Sequence, residues 1–336
     1  MRKTFRLGLL ELFALLLLVS CGGPKTGKKQ LPPSKGLPFE LLLIVDESLW
    51  NSTSRDSIES VLKGSVPGLP QNEAQFRLLR IFPQNLTARY TTFRNILEMR
   101  LNPNLKQVEM RTVRNVNAAP QIYVSVFAPN KGQMNAFLRI HGDELVDVLV
   151  DAELQYEAAL LRKTYSKTVN KAVRKTFSYN VNVPADIKRL KIADNFVWAS
   201  TDRLEKDLNF VCYSVPYVSR GDRFMAEWVA QRDSAMKRNI PGSTPDKWMT
   251  TTVEEGKPLV LTTERILSDG RSVYEMRGLW EMRKGAIGGP FVSLAFPDSV
   301  NDRILVAEGF VYSPETNKRD LMRRMEAALR TFVPIN

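Results

Sequence analysis

Two cysteines, Cys21 and Cys212, and one histidine, His141, are all that 336 residues supply of the side chains most used as metal ligands, nucleophiles and bases. No C-x-x-C, H-E-x-x-H or G-x-S-x-G pattern occurs, so zinc clusters and the common hydrolase motifs are excluded. Long apolar runs are equally scarce. Residues 9–19 form the only one, interrupted by Glu11, and it is shorter than the roughly 20 residues a spanning helix needs. Basic stretches interleaved with aromatics are lacking as well, which removes the stacking platform of a single-strand nucleic-acid binder.

What is present is concentrated at the N-terminus. Arg2, Lys3 and Arg6 precede the apolar run, and Ser20, Gly22 and Gly23 surround Cys21. Cationic head, apolar stretch and small residues make the three-part layout of a secretory signal. Leu18-Val19-Ser20-Cys21 resembles the bacterial lipobox, whose cysteine sulfur receives a diacylglycerol before cleavage on its N-terminal side. The expectation is a signal peptide over 1–20, acylated Cys21 as the membrane attachment, and a lipidated tether over 21–38. More than one acyl chain is needed for stable attachment, which a lipidated and N-acylated cysteine provides. Gly22 stands where enterobacteria-like systems place an inner-membrane retention Asp, and no acidic run follows Cys21. Both point to the periplasmic face of the outer membrane.

Charge is lopsided: 48 bases against 36 acids. Removing 1–20 takes three bases and one acid, which leaves net +10 on the remainder. In an exported protein this excess argues against nucleic acid; it reads either as an ordinary solvated basic surface or as a face for anionic lipid or lipopolysaccharide phosphate, the more available partner. With Cys21 consumed, Cys212 has no disulfide partner; it sits in the apolar run LNFVCYSVPY and reads as a buried small hydrophobe. Gly22, Gly27 and Lys28 imitate a phosphate-binding loop, but Lys29 replaces the required Ser or Thr and no strand precedes them. No cofactor is expected.

Folded material begins with FELLLIVDESLW, and the predicted class is α+β: two halves, 39–180 and 181–336, with mainly antiparallel sheets and a long charged connecting helix. Strands are read at 39–45, 75–82, 107–113 and through QIYVSVFAP; helical periodicity begins around Gln133, and the most informative helix runs over 143–176 with a break near 163–167. Asp143, Glu144, Asp147, Asp151, Glu153 and Glu157 occupy its first part, and Arg162, Lys163, Lys167, Lys171, Arg174 and Lys175 its second. That order complements the helix dipole. Further strands are expected at 259–266, 273–283, 291–296 and 304–312, and helices from Asp222 and over 317–332. IVDESLW at 44–50 and IADNFVW at 192–198 share Ile, Asp and Trp in register, which suggests that the halves are duplicated.

Candidate chemistry is sparse. His141 with Asp143, Glu144 and Asp147 could be a metal or acid–base cluster, although like charges spaced by four repel. Asp46 and Asp194 could pair as carboxylates of a hydrolase. Trp198, Trp228 and Trp280 could line a lipid cavity or simply fill a core. Ser57, Ser234 and Ser299 each follow Asp and precede an aliphatic residue, which resembles the O-glycosylation sequon of Bacteroidota; Ser299, in FPDSVND, is the best placed.

The lipobox, the Lys/Pro tether, the FELLLIVDESLW strand and the PGLPQNE loop together resemble an uncharacterised family of Bacteroidota lipoproteins, over about residues 18–334. The resemblance implies an envelope lipoprotein carrying a domain of unknown function, with Cys21 as its acylated residue and no catalytic residue. The leading expectation is a non-catalytic protein that binds or scaffolds an envelope protein, glycan or lipopolysaccharide. The alternatives are a carboxylate hydrolase and a lipid-handling protein.

Overall fold

The computed structural model describes residues 31–218 and 221–335; Cys21 and residues 1–20, where a signal peptide is expected, lie outside them. The first half opens with β1 (Glu40–Val45), α1 (Glu47–Trp50), α2 (Ser54–Leu62), β2 (Arg77–Ile81) and α3 (Ala88–Thr91). β3 (Asn95–Leu101), β4 (Glu109–Arg114), β5 (Ile122–Ala128) and the 33-residue α4 (Lys131–Lys163) follow. Its sheet runs β2-β1-β3-β5-β4, with the first four strands parallel and β4 antiparallel at the edge.

The continuous apolar run of β1 follows from its central place, since strands covered on both faces lose the polar alternation. Leu41, Leu43 and Val45 face the main core with α4, whereas Leu42 and Ile44 join Ile81 and Ile96 under Tyr90 and Phe93. α4 starts where the Asn130 side chain accepts the Gln133 amide at 3.0 Å, an N-cap satisfying one orphan donor. Gly142 lets α2 approach, because a Cβ there would stand 2.8 Å from Val61 Cγ2.

The helix is interrupted at residues 164–166 before α5 (Lys167–Phe177), so the expected break is present. The second half continues with β6 (Tyr179–Asn180), β7 (Arg189–Ala193), β8 (Phe196–Ser200), β9 (Asp207–Pro216), α6 (Gly221–Asn239) and β10 (Met249–Thr251). A small hairpin, β11 (Val253–Glu254) with β12 (Lys257–Pro258), leads to β13 (Val260–Ile266), β14 (Ser272–Met282), β15 (Gly288–Asp298) and β16 (Arg303–Tyr312). α7 (Arg319–Leu329) and β17 (Val333–Pro334) close the chain, β17 pairing with β6. The large sheet is antiparallel throughout, in the order β10-β14-β15-β16-β9-β8-β7, with β13 also on β14.

Both faces of this sheet are covered. α6 brings Phe224, Trp228 and Met236 onto Met276, Trp280, Phe291 and Phe310. α7 covers the opposite face with Met325 and Ala328, and α4 packs on α7 from the first half. One apolar cluster therefore runs from β1, β3 and β5 through α4 and α7 into β9, β15 and β16.

The α+β class holds, with two corrections of detail. Strand β3, the centre of the first sheet, lies outside the expected strands: NILEMRL mixes apolar residues with the paired Glu98 and Arg100, 2.5 Å apart, and matches neither period cleanly. The duplication has no structural counterpart. Ile44 is fully buried in a central parallel strand while Ile192 is 53% exposed on an edge strand, and Trp50 lies in α1 but Trp198 in β8. Three shared letters carry no topology.

Candidate functional site

One recess lies at the N-terminal ends of β3 and β5. Glu153, buried on the sheet-facing side of α4, accepts from Arg94 Nε at 2.7 Å and from Asn95 Nδ2, which also donates to the Glu40 carbonyl at 3.0 Å. Arg94 stacks its guanidinium 4.7 Å above the Tyr156 ring. Gln121 holds the neighbouring loop by donating to the carbonyls of Thr91 and Phe93 at 2.7 and 2.6 Å. These groups, with Arg114 at the rim, surround a cavity of 220 Å³. Burial pushes the Glu153 carboxyl up, and the Arg94 charge opposes that shift. A lone carboxylate already matched by a cation is a structural pair; it lacks the second carboxylate that glycosidic chemistry uses.

A second recess, of 420 Å³, opens in the other half beside the turn joining β7 to β8. Asp194, Asn195, Ser214, Gln231 and Arg238 line it, with Asn195 and Ser214 exchanging bonds of 2.8 and 2.6 Å. Asp46 is elsewhere: it ends β1 and accepts the Leu101 amide at 2.7 Å, tying β1 to β3. The structure thus leaves Asp46 and Asp194 on different sheets and does not assemble the carboxylate pair that a hydrolase reading requires.

The densest charge lies between the halves. Arg277 on β14 bonds Glu275 at 2.7 Å and Glu326 on α7 at 2.5 Å, and Arg323 bonds Glu326 at 2.9 Å and Gln75 of the first half at 2.6 Å. Burial alone would raise the Glu326 carboxyl, but Arg277, Arg323 and Arg330 outweigh it and hold the group well below the usual range. Around this knot, acids of α4 meet arginines of the second half. Asp151 bonds Arg330, Asp147 lies 3.5 Å from Arg265, and Glu157 lies 3.7 Å from Arg324.

This corrects the dipole account of those acids. α4 begins at Lys131, so Asp143 to Glu157 occupy its middle, beyond the reach of the helix end. Glu275 and Arg277 of β14 are likewise buried, Arg277 against Glu326 of α7. The readable signal was the match of spaced acids on α4 to the arginine-rich segment RDLMRRMEAALR.

The remaining candidates disperse. His141 is exposed, 3.2 Å from Glu144 and stacked at 5.3 Å on Phe137, and no metal-competent cluster exists among the described residues. Cys212 is buried in β9 and burial drives its thiol far up, which makes it inert. Trp228 and Trp280 fill the core under α6, while Trp198 packs at its edge and donates to Asn209 at 2.8 Å. Ser57 is half-buried in α2, Ser234 is exposed in the middle of α6, and Ser299 is exposed at the tip joining β15 to β16. No helix among the described residues is long and apolar enough to cross a membrane.

The molecule is thus an α+β protein of two unlike modules sharing one core. Family comparison divides it similarly. Residues 34–162 match one domain of unknown function (DUF8532), and residues 166–331 match another (DUF4837). The two matches meet at the break between α4 and α5. No curated protein matches the chain.

Proposed function

We propose that this chain is a lipid-anchored cell-envelope protein whose two-module body binds or scaffolds another envelope component without catalysing a reaction. The observation that carries the reading is Leu18-Val19-Ser20-Cys21 behind a cationic head and a short apolar run, just ahead of the folded body. Pairing of the body starts close behind it: the Ala119 amide bonds the Pro32 carbonyl at 2.9 Å and the Lys35 amide bonds Thr92 at 2.8 Å. The body suits a scaffold, because its modules share an apolar core and a buried ionic seam that hold them as a unit. The periplasmic face of the outer membrane is the proposed location, and an envelope protein, glycan or lipopolysaccharide the proposed partner.

Intact mass of protein from its native host tests the anchor. The reading expects a chain beginning at Cys21 with a diacylglycerol-sized excess, and Cys21→Ser released from the membrane fraction. A chain beginning at Met1 without fatty acid overturns it. Ser299 is the proposed glycan acceptor of the three sequons because it stands on an exposed turn. A native mass with no hexose-sized excess removed by Ser299→Ala excludes that modification.

A further inference from the structure

The way the chain enters the body identifies the surface that meets the bilayer. Nine residues separate Cys21 from Leu31, so over the ten intervening Cα–Cα steps the body enters within ~35 Å of the acylated sulfur even at full extension. The entering strand lies beside the loop before β5: Pro33 bridges Ala119, and the Ser34 amide bonds the Ala119 carbonyl at 3.3 Å. Pro120 and Arg114 share the rim of the 220 Å³ recess with Tyr156 and Ala159 of α4, which places the end of that helix on the same side.

Exposed cations gather there. Lys35 and Arg114 flank the entry, Lys163 follows Ala159 by about one turn, and Arg162 lines the adjoining recess that shares Gln155 with this one, where Asp269 is engaged by Arg271. From 158 to 185 the sequence contains no Asp or Glu, and the exposed side of α5 continues the series with Lys167, Lys171 and Lys175. Among the described residues, none of these seven cations has a carboxylate within ion-pair distance. Acids close by in sequence are already engaged: Glu153 by Arg94, Asp151 by Arg330 and Glu157 by Arg324. Val116, 45% exposed, and Leu160, 40% exposed, add apolar contacts to the same end.

We infer that this entry face, centred on Lys35, Arg114, Arg162 and Lys163, docks on anionic phospholipid headgroups of the bilayer that holds the acyl chains of Cys21. The inference rests on the lipid-anchor reading above. Clustered cations beside a membrane attachment bind anionic headgroups additively, each worth roughly fivefold in affinity. Exposed apolar side chains among them favour the interfacial layer. Docking here turns the opposite end of the body away from the membrane.

The test uses acylated protein from the native host, inserted through its anchor into vesicles of phosphatidylcholine alone or mixed with phosphatidylglycerol. A spin label on Asn117→Cys, in the exposed loop beside Ala119, reports collisions with a lipid-borne nickel chelate; the Cys21 thiol is blocked and Cys212 is buried. The expected result is strong relaxation in the anionic vesicles only, abolished near ~1 M salt where the Debye length is about 3 Å. The triple variant Arg114→Glu, Arg162→Glu, Lys163→Glu is expected to lower the contacting population more than about tenfold while staying anchored and folded. Equal relaxation in the two lipid mixtures, or in the variant and the parent, overturns the docking face and leaves the anchor standing. Protein that lacks diacylglycerol and fails to join either vesicle overturns both.

Discussion

Arg277 Nη2 and Glu326 Oε1 meet 2.5 Å apart inside the protein, joining the large sheet to the helix that α4 rests on. Three arginines converge on Glu326, and Gln75 of the first half bonds one of them. The modules are therefore bound by charge as well as by apolar surface.

Removing the acid at this knot leaves buried Arg323 with no carboxylate and Arg277 with Glu275 alone. Glu326→Ala is expected to destabilise the protein by about 3–5 kcal/mol, read from denaturant unfolding. A loss below about 1 kcal/mol would mean that water enters the seam and the charges are not buried.

The same knot sets an acid limit. Glu326 and Glu275 both have carboxyls held below their ordinary values, the arginines prevailing over burial. Such groups contribute stability that is fully present above the unfolded-state pKa, roughly 4.3, and lost as pH falls toward the folded value. Stability is expected to drop steeply below about pH 4, and Glu326→Gln should flatten that drop. An equally steep acid transition in Glu326→Gln would assign it to other carboxylates.

Gly142 predicts an overpacking effect. Gly142→Ala sets a methyl 2.8 Å from Val61 Cγ2, with an expected cost of about 1–3 kcal/mol. Adding Val61→Ala should recover part of the loss, a coupling that a double-mutant cycle on thermal unfolding would measure.

Cys212 should be silent toward thiol reagents in the native state. Its thiol is fully buried and burial drives its pKa up, so labelling requires unfolding. Rapid labelling of native protein at neutral pH would show that β9 opens locally.

Arg94 and Glu153 illustrate how much of the interior was legible. Glu153 was readable as one acid in a helical series, but nothing local separates it from Glu157, which stays partly exposed. Only the approach of β3, itself hidden by an ambiguous pattern, turns one side chain inward onto a buried guanidinium. Cys212, by contrast, was readable because its flanks are apolar over the whole strand. The same holds for Trp228, whose apolar neighbours recur at helical spacing.

Local chemistry by itself determined the class of secondary structure, the helix break near 164 and the burial of Cys212, because periodicity, caps and short motifs act within a few residues. Tertiary structure alone decided that the first sheet is mainly parallel, that the halves are unlike, that Asp46 and Asp194 stay apart, and that acids of α4 serve an interface. Those outcomes depend on which elements meet across a hundred residues or more, and pairing at that range is set by shared burial and charge that no single segment encodes.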